Sequence, residues 1–257
     1  MRKMNKNTGK YLILFVKQYY IWGAIAIFAL YLAFTIIKAP SMSGKIFFFI
    51  VGIFILIGAT YYEYLKKLYQ KMIIAQTQDI NPTLAKQYQN KLQKLDIFHG
   101  FKGSFILFYT LCLFDQQKYD KCLKHLTTNE RFFKAKLDYL FIFYYYQLLC
   151  YYFLDESDKA LMMIDKLKQF QSTKQKNLSP LFSFSQIEGI HYILNGRNQK
   201  GIQTLENTDI NYFNTREKII HYQIIIKAAK KIDNTTLIKK YTTTLRKLTE
   251  GEENEAF

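Results

Sequence analysis

The chain has four histidines and three cysteines, and their spacing decides what chemistry they can support. Cys122 and His125 stand three residues apart, which puts a thiol and an imidazole on one helix face, as a zinc ligand pair requires. No second pair follows to complete a tetrahedral set, so Cys122 reads as the small residue at a helix crossing. Glu188 and His191 repeat the spacing with a carboxylate, as di-iron bundles do. Such sites need a second Glu-x-x-His and two further glutamates, which are missing, so this pair reads as a helix-surface ion pair. Cys112, Cys122 and Cys150 form no Cys-x-x-Cys motif, as expected in a reducing compartment. There is no glycine-rich phosphate loop, Gly-x-Ser-x-Gly elbow or His-Glu-x-x-His; Gly9-Lys10 and Gly44-Lys45 lack the upstream glycine of a P-loop. The expectation is a non-enzyme with no catalytic, cofactor-binding or metal-binding residues.

Aromatic residues make up 17% of the chain, which invites a ligand reading. Tyr144, Tyr145, Tyr146, Tyr151 and Tyr152 lie close together, but neighbouring positions on a helix point in different directions, so most must be packing. Tyr144, Tyr145, Tyr151 and Tyr192 are the candidates for contact with a peptide or protein partner.

The elements that must position these residues begin with two charge-free runs, Gln18–Ile37 and Ile46–Tyr62, separated by the eight residues Lys38–Lys45. As helices they are ~30 Å and ~26 Å long, within the range that crosses a bilayer. So short a connector demands an antiparallel helical hairpin. A cleaved signal peptide fits poorly, because the first run is too long and Ile37-Lys38-Ala39-Pro40 is a poor cleavage site. Arg2, Lys3, Lys6, Lys10 and Lys17 precede the first run and Lys66, Lys67 and Lys71 follow the second, whereas the connector has only Lys38 and Lys45. The bias places both termini in the cytoplasm of a multi-pass plasma-membrane protein. Lys17, Tyr19, Trp22, Tyr62, Lys66 and Lys67 then mark the cytoplasmic membrane interface. Gly23, Ala26, Ala29 and Ala33 in the first run and Gly52 and Ala59 in the second offer close helix approach, within the hairpin or, as the lesser alternative, between copies.

The net charge of +16 would suggest nucleic acid in a soluble chain. Here much of the excess flanks the apolar runs and meets anionic headgroups, and from Asp155 onward 16 basic residues face 13 acidic ones. A lipid surface, and not nucleic acid, is the expected partner of this charge.

After Glu63 helical periodicity dominates. The second run is expected to continue through Lys66–Ala75 and stop before Asn81-Pro82, a cap residue followed by proline. Apolar helices then alternate with amphipathic ones: Phe105–Phe114 with Tyr119–Leu126, Ala135–Leu154 with Lys159–Phe170, Pro180–Leu194 with Lys200–Leu205, and Glu217–Lys231 with Thr236–Leu248. Lys121-Cys122-Leu123, Lys159-Ala160-Leu161 and Lys200-Gly201-Ile202 open the second helices alike, at offsets of 38 and 41 residues. That period means stacked helix pairs. Tyr139–Leu154 is charge-free too, but at ~24 Å and with six tyrosines it suits a buried repeat helix better than a third span.

Gly189…Tyr192…Gly201…Leu205 resembles the small–aromatic–small–large spacing of tetratricopeptide (TPR) repeats. Leu148…Tyr151…Ala160…Ile164 keeps most of it, and Thr110…Leu113…Cys122…Leu126 less. The resemblance covers about residues 100–250 and implies an α-solenoid whose concave side, lined by the first helix of each pair, binds a protein or peptide. The expected fold is all-α: a basic arm at 1–17, a transmembrane hairpin at 18–62 (18–37 and 46–62), juxtamembrane helices at 63–99, TPR-like repeats at 100–248 and an acidic, disordered tail at 249–257. Richness in Lys, Ile, Asn, Tyr and Phe looks bacterial. The expected role is a membrane-anchored cytoplasmic scaffold; the alternative is an immunity or accessory protein of a secreted-peptide system.

Overall fold

A computed structural model describes residues 6–172 and 183–250, with the side chains of 6–19, 21, 171 and 172 left outside. The basic arm up to residue 5 and the acidic tail from 251 lie outside the described residues. Among those described, every regular element is a helix: α1 (Lys6–Lys38), α2 (Met42–Thr77), α3 (Pro82–Leu95), α4 (Lys102–Asp115), α5 (Tyr119–Thr128), α6 (Glu130–Lys134), α7 (Leu137–Phe153), α8 (Ser157–Ser172), α9 (Phe184–Leu194), α10 (Asn198–Glu206), α11 (Thr215–Lys231) and α12 (Thr235–Glu250). The chain divides into two compact units, Met1–Leu68 and Tyr69–Phe257.

In the first unit the apolar residues are outside. Phe47, Phe54 and Ile57 of α2 and Ile27, Leu30 and Phe34 of α1 are exposed. α2 is long and apolar enough to cross a membrane, and only 6% of that apolar stretch is buried, so it is not the core helix of a soluble domain. Trp22–Lys38 is a shorter apolar helix. The two helices meet at Gly52, where an added Cβ would fall 2.0 Å from the Leu32 side chain. Ala29 and Ala59 are half-buried, whereas Gly23, Ala26 and Ala33 are exposed because the 100° step per residue turns them off the contacting face. The ammonium of Lys67 lies 5.2 Å from the Trp22 ring.

The second unit is built from helix pairs α4/α5, α7/α8, α9/α10 and α11/α12, each joined by three residues. All four turns are the same device. Gln117, Asp155, Gly196 and Asp233, spaced by 38, 41 and 37 residues, adopt positive φ (56°, 61°, 77° and 52°). Around each, two backbone bonds close the helix end: Lys118 N–H to Leu113 O and Gln117 N–H to Phe114 O in the first, Arg197 N–H to Tyr192 O and Gly196 N–H to Ile193 O in the third. This left-handed C-cap satisfies carbonyls that the helix leaves open. Only one of the four positions is glycine; the other three bear the αL cost because the cap is closed by hydrogen bonds.

Small residues set how closely each pair packs. Thr110 and Cys122, and Leu148 and Ala160, are wholly buried where their helices cross. The tightest crossing is α9 on α10, where a Cβ at Gly201 would meet Ile193 at 2.5 Å and the Gly189 carbonyl at 2.8 Å. The apolar segment expected over Ala135–Leu154 is broken at Lys136, whose extended backbone (φ −139°, ψ 146°) starts α7 at Leu137. α7 is enclosed by α5, α6 and α8. Its tyrosines find partners: Tyr152 O–H donates to the Ile224 carbonyl at 3.2 Å. At its C-terminus Lys227 donates to the Tyr152 and Phe153 carbonyls, both at 2.9 Å, where a cation suits the helix dipole.

α3 folds back along the end of α2, with Met72, Ala75, Ala85 and Phe108 in one cluster. The last turns of α2 and all of α3 therefore belong to the second unit, whereas the sequence set 63–99 apart.

The α9/α10 crossing yields a stability prediction. Gly201→Val should lower stability by about 3 kcal/mol, because backbone opposes the new side chain. Gly196→Ala, which meets only open space, should cost about 1 kcal/mol through its positive φ. Thermal melts of the detergent-solubilised chain followed by circular dichroism would check the order.

Candidate functional site

Arg216 sits in the first turn of α11, just after the Asn214–Glu217 capping box that starts the helix. Although charged, it is only 5% exposed. Its Nε donates to both carboxylate oxygens of Asp115 at the end of α4 (2.7 and 2.8 Å), and Nη2 lies 2.7 Å from Oδ1. Nη1 donates to the Tyr146 hydroxyl of α7 at 2.7 Å. The guanidinium carbon lies 5.8 and 5.6 Å from the ring centres of Phe114 and Tyr146, which pack edge-on against each other at 5.4 Å. From the end of α2, the Gln76 side-chain amide donates to the same Asp115 carboxylate. Four helices thus converge on one ion pair.

A second buried network runs from the neighbouring residue of α7. The Tyr145 hydroxyl donates to the Gln186 Oε1 of α9. Gln186 Nε2 donates to His221 Nδ1 at 3.1 Å, and His221 Nε2–H donates to the Leu205 carbonyl of α10 at 3.1 Å. Every donor here meets an acceptor only if the imidazole is neutral with its proton on Nε2. The environment enforces that state: burial holds the His221 pKa down to about 4, against the opposing pull of the Leu205 carbonyl.

Electrostatics elsewhere in the site also favour fixed protonation states. For Arg216, burial opposes the charge, but Tyr146 and Asp115 more than reverse it and the pKa rises. Burial pushes Tyr146 up to about 12 despite Arg216, and it pushes the Cys112 thiol, with help from Asp115, up to about 11. Burial also raises the pKa of Glu217.

Two cavities of about 290 and 280 Å³ flank the ion pair, and Arg216 belongs to the wall of both. The first presents Gln76, Gln116, Gln117 and Gln223 above apolar walls such as Phe114 and Ile219. The second is lined by Tyr145, Gln186, Asn214 and Glu217, which bond to one another or to His221 within the wall, beside Phe108 and Ile220. Side-chain amides donate and accept at once, so the wall of the first cavity suits the alternating N–H and C=O groups of a peptide backbone.

Of the partner-contact candidates, Tyr145 lines the second cavity, and Tyr146 joins it. Tyr144 instead packs edge-on against Phe143 and Phe170. Tyr151 lies under the Lys159 ammonium, and Tyr192 donates to Glu188 at 3.0 Å under Lys200, neither in the lining of these two cavities. Among the membrane-interface candidates Trp22 and Tyr62 are exposed, Lys66 pairs with Glu63 at 3.2 Å, and the side chains of Lys17 and Tyr19 lie outside the described part. His125 Nε2 lies 3.1 Å from the Ile106 carbonyl, and the Cys122 thiol points at the Thr110 carbonyl; among the described residues no three metal-ligating side chains gather.

Sequence reasoning does not single out Arg216, Asp115, Gln76 or Gln186, and reaches His221 only as one of the four histidines. One signal is present: five of the 36 basic residues are arginines, so an arginine beside a capping box is unusual in a chain that otherwise uses lysine. Compared with protein-family models, curated proteins and solved structures, the chain shows no match in any of the three.

These networks make two outcomes measurable. Arg216→Met strands a part-buried carboxylate and should cost about 3 kcal/mol, while adding Asp115→Met should recover part of the loss. The double-mutant cycle, read from denaturation midpoints, checks the coupling. For His221, the unfolded chain gains a proton below about pH 6.5 and the folded chain only near 4. Its contribution of about 3 kcal/mol is therefore full above pH 6.5 and is lost as pH falls towards 4. His221→Gln, which carries no titrating group, should flatten that part of the stability–pH curve.

Proposed function

We propose that this chain is a membrane-anchored cytoplasmic scaffold that holds an extended peptide segment of a partner protein in the amide-lined cavities around Arg216. The observation that carries the reading is the pair of cavities sharing the Arg216 wall, with glutamine, asparagine and tyrosine groups placed along apolar sides. A main chain offers regularly spaced donors and acceptors, and its side chains fill the apolar walls, so both halves of the lining have a use.

The recurring left-handed caps and buried small residues support TPR-like repeats stacked as an α-solenoid. The exposed apolar faces of α1 and α2, and their approach at Leu32 and Gly52, support a two-span hairpin, and the lysine and arginine bias of its flanks supports both termini in the cytoplasm. The lysines beyond the second apolar run, Lys66, Lys67 and Lys71, then lie against anionic headgroups.

A photo-crosslinking amino acid at Gln223, on the first cavity wall, should give discrete adducts with one partner in cells, and the same group at exposed Met162 of α8 should not. Arg216→Met should reduce the Gln223 adduct about tenfold. Equal labelling at both positions, or none at either under conditions where the chain is membrane-inserted, counts against the reading. A C-terminal reporter active only outside the cytoplasm should stay silent.

A further inference from the structure

The last helix delivers the chain to the edge of the first cavity. Thr249, in the final turn of α12, belongs to the cavity wall together with Ile80 and Pro82 at the start of α3 and Gln116 and Gln117 at the end of α4. α12 is held in place by Leu248, which is buried, and by Tyr241, which stacks on Tyr222 at 5.3 Å and donates to Glu206 at 2.7 Å. Residues 251–257 continue from this point. Seven residues span up to ~25 Å when extended, which is ample to double back into a space of about 290 Å³.

The charges match. Glu250–Phe257 contains four glutamates and no basic residue, in a chain of net charge +16. At the cavity the balance is reversed. Arg216 lines it, and the Lys118 ammonium donates to the Gln116 side chain of the wall at 2.7 Å. Burial and then Asp115 raise the pKa of the Cys112 thiol, another wall group, while Arg216 and Lys86 pull it down, so Lys86 of α3 is close by. Asp115 is the only carboxylate of the described lining, and it is already paired with Arg216. Opposite charges gathered within about 10 Å attract at 0.1 M salt. The rest of the wall is apolar, with Ile80, Pro82, Phe114 and Ile219, and Phe257 is the large apolar side chain of the tail.

We propose that residues 251–257 fold back into the first cavity as an intramolecular ligand, with Phe257 against the apolar wall and the glutamates towards Lys86 and Lys118, so that the tail and a partner peptide exclude one another. The docking stands on the cavity, the tail and their charges; its consequence for a partner rests on the scaffold reading above. A tethered segment acts at an effective concentration of about millimolar, so a partner reaches the cavity only by outcompeting the tail.

Photo-crosslinking within the chain tests this. The full-length protein, purified in detergent, carries p-benzoylphenylalanine at Gln223, or at Gln116 as a second position on the same wall, and circular dichroism establishes that each variant folds. Irradiation should join the wall to a peptide within 251–257, identified by mass spectrometry. Mixing with isotope-labelled protein should place both ends of the adduct in one chain. Glu252→Lys/Glu253→Lys/Glu255→Lys should lower its yield at least about threefold. The same group at Met162 of α8 should give no tail adduct. In cells, ending the chain at Glu250 should raise the partner adduct at Gln223 by at least about threefold.

No tail adduct from either wall position, an adduct between chains, or a yield unaffected by charge reversal overturns the proposal and leaves the scaffold reading intact. Equal tail labelling from Met162 overturns the assignment to this cavity. A partner adduct unchanged by ending the chain at Glu250 overturns the mutual exclusion. A tail adduct in the purified protein, with no partner adduct in cells from the shortened chain, overturns the scaffold reading and leaves the docking intact.

Discussion

The guanidinium of Arg216 carries a full charge into a site only 5% exposed, where an unpaired ion costs several kcal/mol. Three parties answer it: the Asp115 carboxylate, the Tyr146 hydroxyl and two aromatic faces. They come from two distant places in the chain, with Asp115 101 residues away and Tyr146 70. The pairing is satisfied only when α4, α7 and α11 meet. The helices contact mainly their neighbours in the chain, so local packing alone leaves the first and last pairs unconstrained. The ion pair adds that constraint. Lysine could not replace arginine here, because a single ammonium cannot hold a carboxylate side-on and bond a hydroxyl on its other edge in one fixed plane.

Most of the local architecture is legible in the amino-acid pattern. Periodicity places the helix pairs, and the small residues at Cys122, Ala160 and Gly201 mark where second helices cross first ones, because both signals lie within one pair. Helix ends differ by about one residue from their expected places: Asp115 is still helical and α7 stops at Phe153 instead of Leu154, and the left-handed position of the first turn falls on Gln117, a residue type that does not advertise positive φ. The site is much less legible. Gln76, Asp115, Gln186 and Arg216 are polar residues on mainly apolar or amphipathic helices, and each one alone looks like an ordinary surface position. Their meaning comes from partners 35 to 101 residues away, which no pattern within a helix encodes. The tyrosine run shows the same limit, since Tyr145 reaches the cavity while Tyr144, one step of 100° away, packs between phenylalanines.

Two kinds of apolar helix coexist in this chain, and they differ in what their polar atoms do. The apolar stretches of α1 and α2 are largely exposed and carry few groups that need an answer: Thr35 and Thr60 return their hydroxyl protons to their own helix, at Tyr31 and Leu56. α7 is equally free of charge along Tyr139–Phe153, yet it is wrapped by protein and studded with hydroxyls. Those hydroxyls are bonded across the interior, to Gln186, to the Ile224 carbonyl and from Arg216. A helix that must present hydroxyls to specific partners cannot face lipid, where no partners exist. The distinction lies in where the polar atoms on the apolar helix send their bonds, and apolar content alone does not register it.

The buried networks around Arg216 and His221 also leave the second unit able to receive a ligand. Its ionisable groups are held in fixed states: Arg216 charged against Asp115, His221 neutral between an amide and a carbonyl, and the Cys112 and Tyr146 pKa values raised out of the neutral range. Such groups do not change protonation when a ligand arrives, so they cost no reorganisation. Beside those groups the cavity walls are mainly apolar, with the amides Gln116, Gln117 and Gln223 on one side and Asn214 with Tyr145 on the other. Amides exchange a water partner for a peptide partner at little net cost, so the preference for a ligand must come from shape and apolar burial along the walls. The buried charges serve that end indirectly, by keeping the helices that form those walls at a fixed separation.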